Sequence, residues 1–516
     1  MARAPRRTGY AVPSRLFSLP APVGGLNFRD PIAALKPTDA LILDNWFPDV
    51  GSVSLRRGYV AHATGLPGQV ETLVEYAGAP GVRRLFAASA GGIYDVTSAG
   101  PVGAPVRAGL TNNFFQSVQF STLDKDYLVL VNGADGVLTF DGTNWAVQTI
   151  TGADATRFFQ VASYQGRLWF AALGETKAYY LGTGAIAGAA TAFDLGPIFT
   201  RGGSIALIVP LSLGSAGSGP MEVLAFISTQ GEAAVYAGTD PASAQNWALS
   251  GRYTVGKMAA RRGWMRYGGD CVLFTEGGVV SAMGVMRLPP SQSDLASFTD
   301  KINPKLGALR AVAPADPSWQ MLEYPAGRMA FLNGPGDDGK RQQWVINTRT
   351  GAWCRFSGME ARCWSLFGEA PYFGDDGGTV YRADFGETDD GREIVGEIKG
   401  GFTDMKFPAL KRFTMMRPLM TANGDPAPAV GLDIDYGDVP PSDILTASIA
   451  ATPLWGEAIW GQDMWGASAL ISRPWIATTG VGVAAAFRMR TRTRGFRIEL
   501  HAVDIIFEPA AGAALG

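Results

Sequence analysis

An all-β fold is what these 516 residues predict, and three observations predict it. Glycine (66) and proline (32) are abundant without a fixed period, which in a folded chain means many turns and short strands. Helical patterning is scarce, although 47% hydrophobic and 17% charged residues describe a chain that folds. From about residue 80 one unit also recurs: an apolar strand, a glycine-containing turn, then a second strand carrying tyrosine or another bulky residue.

Seven copies of that unit can be read in order. They are "LFAASAGGIYDV" from Leu85, "YLVLVNGADGVLTFDG" from Tyr127, "RLWFAALGETKAYYLG" from Arg167 and "EVLAFISTQGEAAVYAG" from Glu222. "CVLFTEGGVVSAMG" from Cys271, "RMAFLNGPGDDGKRQQWVIN" from Arg328 and "SLFGEAPYFGDDGGTVYRAD" from Ser365 complete the set. Their starts lie roughly 40 to 55 residues apart, the length of one four-stranded propeller blade. Each blade exposes an apolar face until a neighbour covers it, so such repeats close into a ring. The pattern therefore predicts a β-propeller of six or seven blades over residues 61–400, in preference to hairpins stacked as sandwiches.

Residues 1–60 precede the ring. Arg3, Arg6, Arg7 and Arg15 make a basic arm. No apolar segment follows them, so no secretory leader is expected, and no run of about eighteen apolar residues predicts a membrane span. The best helix candidates are 37–46 ("PTDALILDNW") and 293–306, the second with Ser293 or Asp294 as its cap. Residues 401–516 read as an additional C-terminal β domain. Within it "KRFTMMRPLMTAN" and "VGLDIDYGDV" are long strands, and "AAFRMRTRTRGFRIELHAVDIIFEP" reads as one long hairpin or strand pair. "LWGEAIWGQDMWG" spaces Trp455, Trp460 and Trp465 by five, each followed by glycine. Five fits neither the helical nor the strand period, so this is a loop whose indoles dock separately. Their seats are the subunit's own core or a neighbouring subunit, and at least one is expected against another chain.

Little in the sequence predicts catalysis. The two histidines, His62 and His501, stand in unrelated contexts, and no nucleophile elbow, zinc spacing or phosphate-binding loop occurs. No enzyme activity, cofactor or metal is expected. "FDGTNW" (140–145) has the outline of a sialidase turn but lacks its serine. The acidic pairs Asp337/Asp338, Asp375/Asp376 and Asp389/Asp390 lack the alternating order of a calcium loop and read as hairpin turns. Three cysteines rule out a disulfide framework, and Cys354 and Cys363 are expected as buried thiols. Lysine and arginine (44) balance aspartate and glutamate (46), so bulk charge does not point to nucleic acid. The sharpest polar feature is "FRMRTRTRGFR": Arg488, Arg490, Arg492 and Arg494 share one face of a strand. Four guanidinium groups in a row need anions. Those are DNA phosphates, or carboxylates such as Asp433 and Asp435 within the assembly.

The stretch "APVGGLNFRDPIAALKPTDALILDNWFPDVGSVSLRRGY" (21–59) resembles the opening of tail nozzle, or packaged-DNA stabilisation, proteins of short-tailed bacteriophages. Gly24, Gly25, Asn27, Leu43, Asn45, Pro48, Gly51, Arg57 and Gly58 carry the resemblance. It implies a structural protein of the virion tail: a homo-hexameric ring below the portal and adaptor, contacting tail fibres. Double-stranded DNA would pass through the ring without sequence preference at ejection, and the host cell surface would lie close by. Synthesis would be in the host cytoplasm. A near-neutral wall suits sliding DNA. The alternatives are a receptor-binding or baseplate-like tail protein and, further off, a propeller glycoside hydrolase.

Overall fold

The computed structural model describes residues 13–78, 81–215, 219–288, 296–424, 426–441, 470–472 and 474–510. The chain divides into two compact units. One holds residues 59–348 and 357–385, and the other holds 1–58, 349–356 and 386–516.

The first unit is the propeller. Among the described residues seven sheets follow one another, each built outward from an inner strand. The inner strands are Val70–Ala77, Gln116–Ser121, Phe158–Tyr164, Ile205–Ser215, Trp264–Tyr267, Gln320–Tyr324 and Cys363–Phe367. The first six sequence repeats fall on the hairpins outside these strands, and the seventh starts on the inner strand itself, at Ser365. Their apolar runs are continuous because a blade is buried on both faces. In the third blade, Leu168 and Phe170 pack towards the second blade while Trp169 and Ala171 pack towards the fourth. The second blade divides Leu128 and Leu130 from Val129 and Val131 in the same way. Strand period two thus turns each run into two half-cores.

The ring closes by an exchange of chain ends. Tyr59–Thr64 becomes the outer strand of the seventh blade, pairing antiparallel with Val380–Ala383. Val70 of the first blade and Cys363 of the seventh then share one core cluster.

The second unit is a β domain drawn from both ends of the chain. In one sheet Lys411–Ala422 pairs with Ile498–Pro509, which in turn pairs with Arg15–Pro20. The other sheet sets Asp39–Asp44, Ile394–Gly400, Ala485–Thr493 and Ala429–Ile434 side by side. A C-terminal β domain is therefore present, but it includes residues 13–58 and begins again at 386, outside the expected boundaries.

Three expected elements are corrected. Residues 37–46 are not a helix: Asp39–Asp44 is a strand, with Ala40 and Leu43 fully buried. Sheet pairing on both sides outweighs the modest helix propensity of Ala-Leu-Ile-Leu. The later helix begins at Asn303 and runs to Val312, because Pro304 is tolerated only in a first turn. Its expected cap, Ser293 or Asp294, lies outside the described residues. Finally, Ala485–Thr493 and Ile498–Pro509 are not a hairpin, for each pairs in a different sheet.

Candidate functional site

The arginine row lies on the strand Ala485–Thr493, whose other face buries Phe487 and Met489. Arg488 is nearly buried. It donates through Nε and Nη2 to Glu397 (2.9 and 2.6 Å) and through Nη1 to Asp438 (2.5 Å), with Asp433 at 3.5 Å. Lys399 joins the same cluster, 2.6 Å from Asp433 and 3.1 Å from Asp438. Arg490 stands 3.2 Å from Glu397, its cross-strand partner, and Arg492 stands 3.4 Å from Glu393. Burial works against the charged form of Arg488, yet Glu397 and Asp438 hold its pKa above the usual value. Asp438 is held below the usual carboxylate range by Lys399 and Arg488.

Three of the four arginines are thus answered by carboxylates of their own unit, mostly from the strand Ile394–Gly400 and its approach. Asp433 takes part as expected. Asp435 does not: its carboxylate accepts from the backbone N–H groups of Val483 and Ala484 instead. Arg494 falls beyond the end of the strand and is exposed. Trp455, Trp460 and Trp465 lie outside the described residues.

The acidic pairs are spent on turns and arginines. Asp376 meets Arg341 and Arg362 at 2.5 and 3.0 Å, and Asp337 meets Lys305 at 2.6 Å. In "FDGTNW", Asp141 accepts from Thr143 N, Asn144 N and Lys125 Nζ. The Lys125 bond and the turn amides bring its pKa down to about 2. Cys271, Cys354 and Cys363 are buried free thiols, and burial pushes all three pKa values up.

Three features escaped the sequence. Arg56, beside the conspicuous Arg57, forms a bidentate buried pair with Asp389 at 2.6 and 2.7 Å. Its Nε donates to Asn45 Oδ1 (2.8 Å), and Asn45 sits at φ +62 with its amide on Val395 O. Gly58 passes so close to Thr388 that a Cβ there would lie 1.8 Å from the Thr388 carbonyl oxygen. Within the stretch 21–59, Asn45 and Gly58 are thus buried at this junction, whereas Gly51 and Arg57 are exposed.

Arg262 is the second feature. It precedes the fifth blade but reaches the inner strands of others, donating to Glu71 O (2.8 Å), Phe115 O (3.0 Å) and the Thr72 hydroxyl. Its guanidinium lies 3.8 Å from the Phe114 ring centre, and its carbonyl accepts from Met321 N in the sixth blade. Burial pulls its pKa down to about 10, which leaves it charged at neutral pH. This one residue bridges the first and second blades through its side chain and the sixth through its carbonyl. No periodicity could have marked it.

Third, cavities lie towards both ends of the inner strands among the described residues of the propeller. One, about 590 Å³, is walled by Phe114, Phe159, Met258 and Trp319 with Arg261 beside them. Another, about 320 Å³, is polar, with Gln119, Ser163, Ser212, Glu222 and Arg266 in its wall.

No helix among the described residues is long and apolar enough to cross a membrane. No protein-family profile and no curated protein matches the chain. Among solved structures, the WD40 β-propeller domain of Doa1 aligns with TM-score 0.38 and 10% identity, over 63% of this chain and 96% of that chain. Sqt1 of Saccharomyces cerevisiae aligns with TM-score 0.33 and 10% identity, over 63% and 99%.

Proposed function

We propose that the chain is a structural subunit of a short-tailed phage tail, of the nozzle kind, assembling as a six-membered ring that retains packaged DNA and passes it at ejection. The observation that carries the reading is the 21–59 stretch. Its resemblance to nozzle proteins rests on residues that frame the β domain, from Asn27, bonded to Asp30 and Asp39, to Gly58. Two further facts support it. Arg262 ties blades together across the middle of the propeller, so DNA in this reading passes between subunits rather than along a propeller axis. The arginine row is largely neutralised within its own unit, leaving a conduit wall without a continuous basic stripe to hold DNA back. In this reading the subunit is not an enzyme. Its partners are further copies of itself, the adaptor and portal, tail fibres and DNA.

The test is stoichiometry and place. Native mass spectrometry and electron microscopy of the purified protein, alone and with tail components, should show a closed six-fold ring with an open centre. Quantitative mass spectrometry should find six copies per virion. A strict monomer absent from particles overturns the proposal. So does product release from glycans or nucleotides that one carboxylate substitution abolishes.

A further inference from the structure

The polar cavity at the far ends of the inner strands has no part in the reading above, and its chemistry is specific. It is formed by the second to fifth blades: Gln119, Ser163 and Gln165, Ser212 and Glu222, then Arg266 with the turn Gly268–Asp270. Its volume, about 320 Å³, lies at the small end of the range for small-molecule sites, about 300–1,000 Å³.

The frame is fixed from behind. Ser212 N donates to Gly269 O (2.9 Å), joining the fourth and fifth blades beneath the cavity. The Tyr164 hydroxyl donates to the carbonyl of Glu222 or of Gly238, each 3.0 Å away, and so holds the strand that presents the Glu222 carboxylate. Asp270 is committed: it accepts from Cys271 N, Met283 N and the Ser281 hydroxyl. Glu222 receives one bond, from Gln165 Nε2 at 3.1 Å, and keeps acceptor capacity. Arg266 is exposed and supplies donors only.

The walls exclude several ligand classes. An apolar ligand would strip water from these polar side chains and return nothing. A phosphate would meet two carboxylates against one guanidinium, and a bare cation would meet the guanidinium. A hydroxyl group both donates and accepts, so it can answer Glu222 and Arg266 at once. We propose that this cavity is a binding site for a small polyhydroxyl ligand, a mono- or disaccharide unit, with Glu222 and Arg266 as its two principal contacts. Tyr164 is buried with its hydroxyl engaged and offers no face for a sugar ring to stack on, so binding is weak, in the millimolar range. The site depends on the propeller alone and stands or falls separately from the nozzle reading.

Saturation-transfer NMR of the whole protein with D-glucose, D-galactose and N-acetyl-D-glucosamine tests it. At least one sugar should receive saturation, and Glu222→Gln and Arg266→Met should each weaken binding tenfold or more. Both positions are exposed, so the variants should melt like the parent. If either fails to fold, Ser212→Val reads the same wall. Inorganic phosphate and magnesium should not compete. Three silent sugars, binding unchanged in the variants, or displacement by phosphate would each overturn the proposal.

Discussion

Arg262→Met is the sharpest test of how the ring is held. The substitution keeps most of the side-chain length but removes a guanidinium that donates to two carbonyls and one hydroxyl, all within the propeller. Hydrogen bonds from a charged donor contribute about 1.5–3 kcal/mol each, so the gross loss is about 4–9 kcal/mol. The variant regains the cost of burying a charge, several kcal/mol, which leaves a net loss of about 3 kcal/mol. The propeller unit holds 319 residues (290 from 59–348 plus 29 from 357–385). At about 2 cal/mol/K per residue, its unfolding entropy is about 0.6–0.7 kcal/mol/K, and the melting point should fall by about 4–5 °C. Differential scanning calorimetry would read the shift, with Arg261→Met as the control, since the exposed Arg261 should shift it by about 1 °C or less. An Arg262→Met protein that melts within 1 °C of the parent would refute the argument that Arg262 clasps the blades.

Three more outcomes follow from named contacts. Asp389→Ala leaves Arg56 buried without its partner and should cost about 3–5 kcal/mol in the β domain, read as a lower denaturant midpoint. The half-exposed Arg490 and Arg492 should cost about 1 kcal/mol or less on joint replacement by alanine, whereas Arg488→Ala, which removes the buried guanidinium paired with Glu397 and Asp438, should cost several times more. Asp141 has a folded pKa depressed to about 2, so it contributes stability that is present above its unfolded value of 3.8 and lost as pH falls towards 2. Asp141→Asn should flatten the melting-point profile between pH 4 and 2, and an unchanged profile would remove the turn from the account.

The propeller was legible because its repeats are buried on both sides. "LWFAA" and "YLVLV" are continuous apolar runs whose alternate residues face different neighbours, and "VLAFI" at 223–227 repeats the form. The count of seven was present in the repeats, but the closing strand was not. Tyr59–Thr64 carries no glycine-turn signature, since its partner lies more than three hundred residues away. The arginine row was legible as a face but not as a cluster, because Glu393, Glu397 and Asp438 reach it from other strands and loops. Arg262 was invisible for a different reason. It acts alone, and its partners are mostly backbone carbonyls, which any sequence supplies.

The stretch 21–59 ends at a topological junction. The propeller is an interrupted insertion: the chain leaves the β domain at Gly58, returns to it for 349–356 and finally at Gly386, and Gly58 N donates to Gly386 O at 3.0 Å. The same crossing point holds the buried Arg56–Asp389 pair, the close pass of Gly58 over Thr388, and Asn45 bracing Arg56. Outgoing and returning strands are thus fastened to each other where the ring begins and ends. Bringing residues this far apart together costs loop entropy that grows only slowly with length, on the order of (3/2)RT ln n. A buried bidentate pair with no room for a side chain beside it is suited to fixing that junction in one register. Asn45, Arg56 and Gly58 therefore specify, with Thr388 and Asp389, the point at which the chain enters the propeller and finally leaves it.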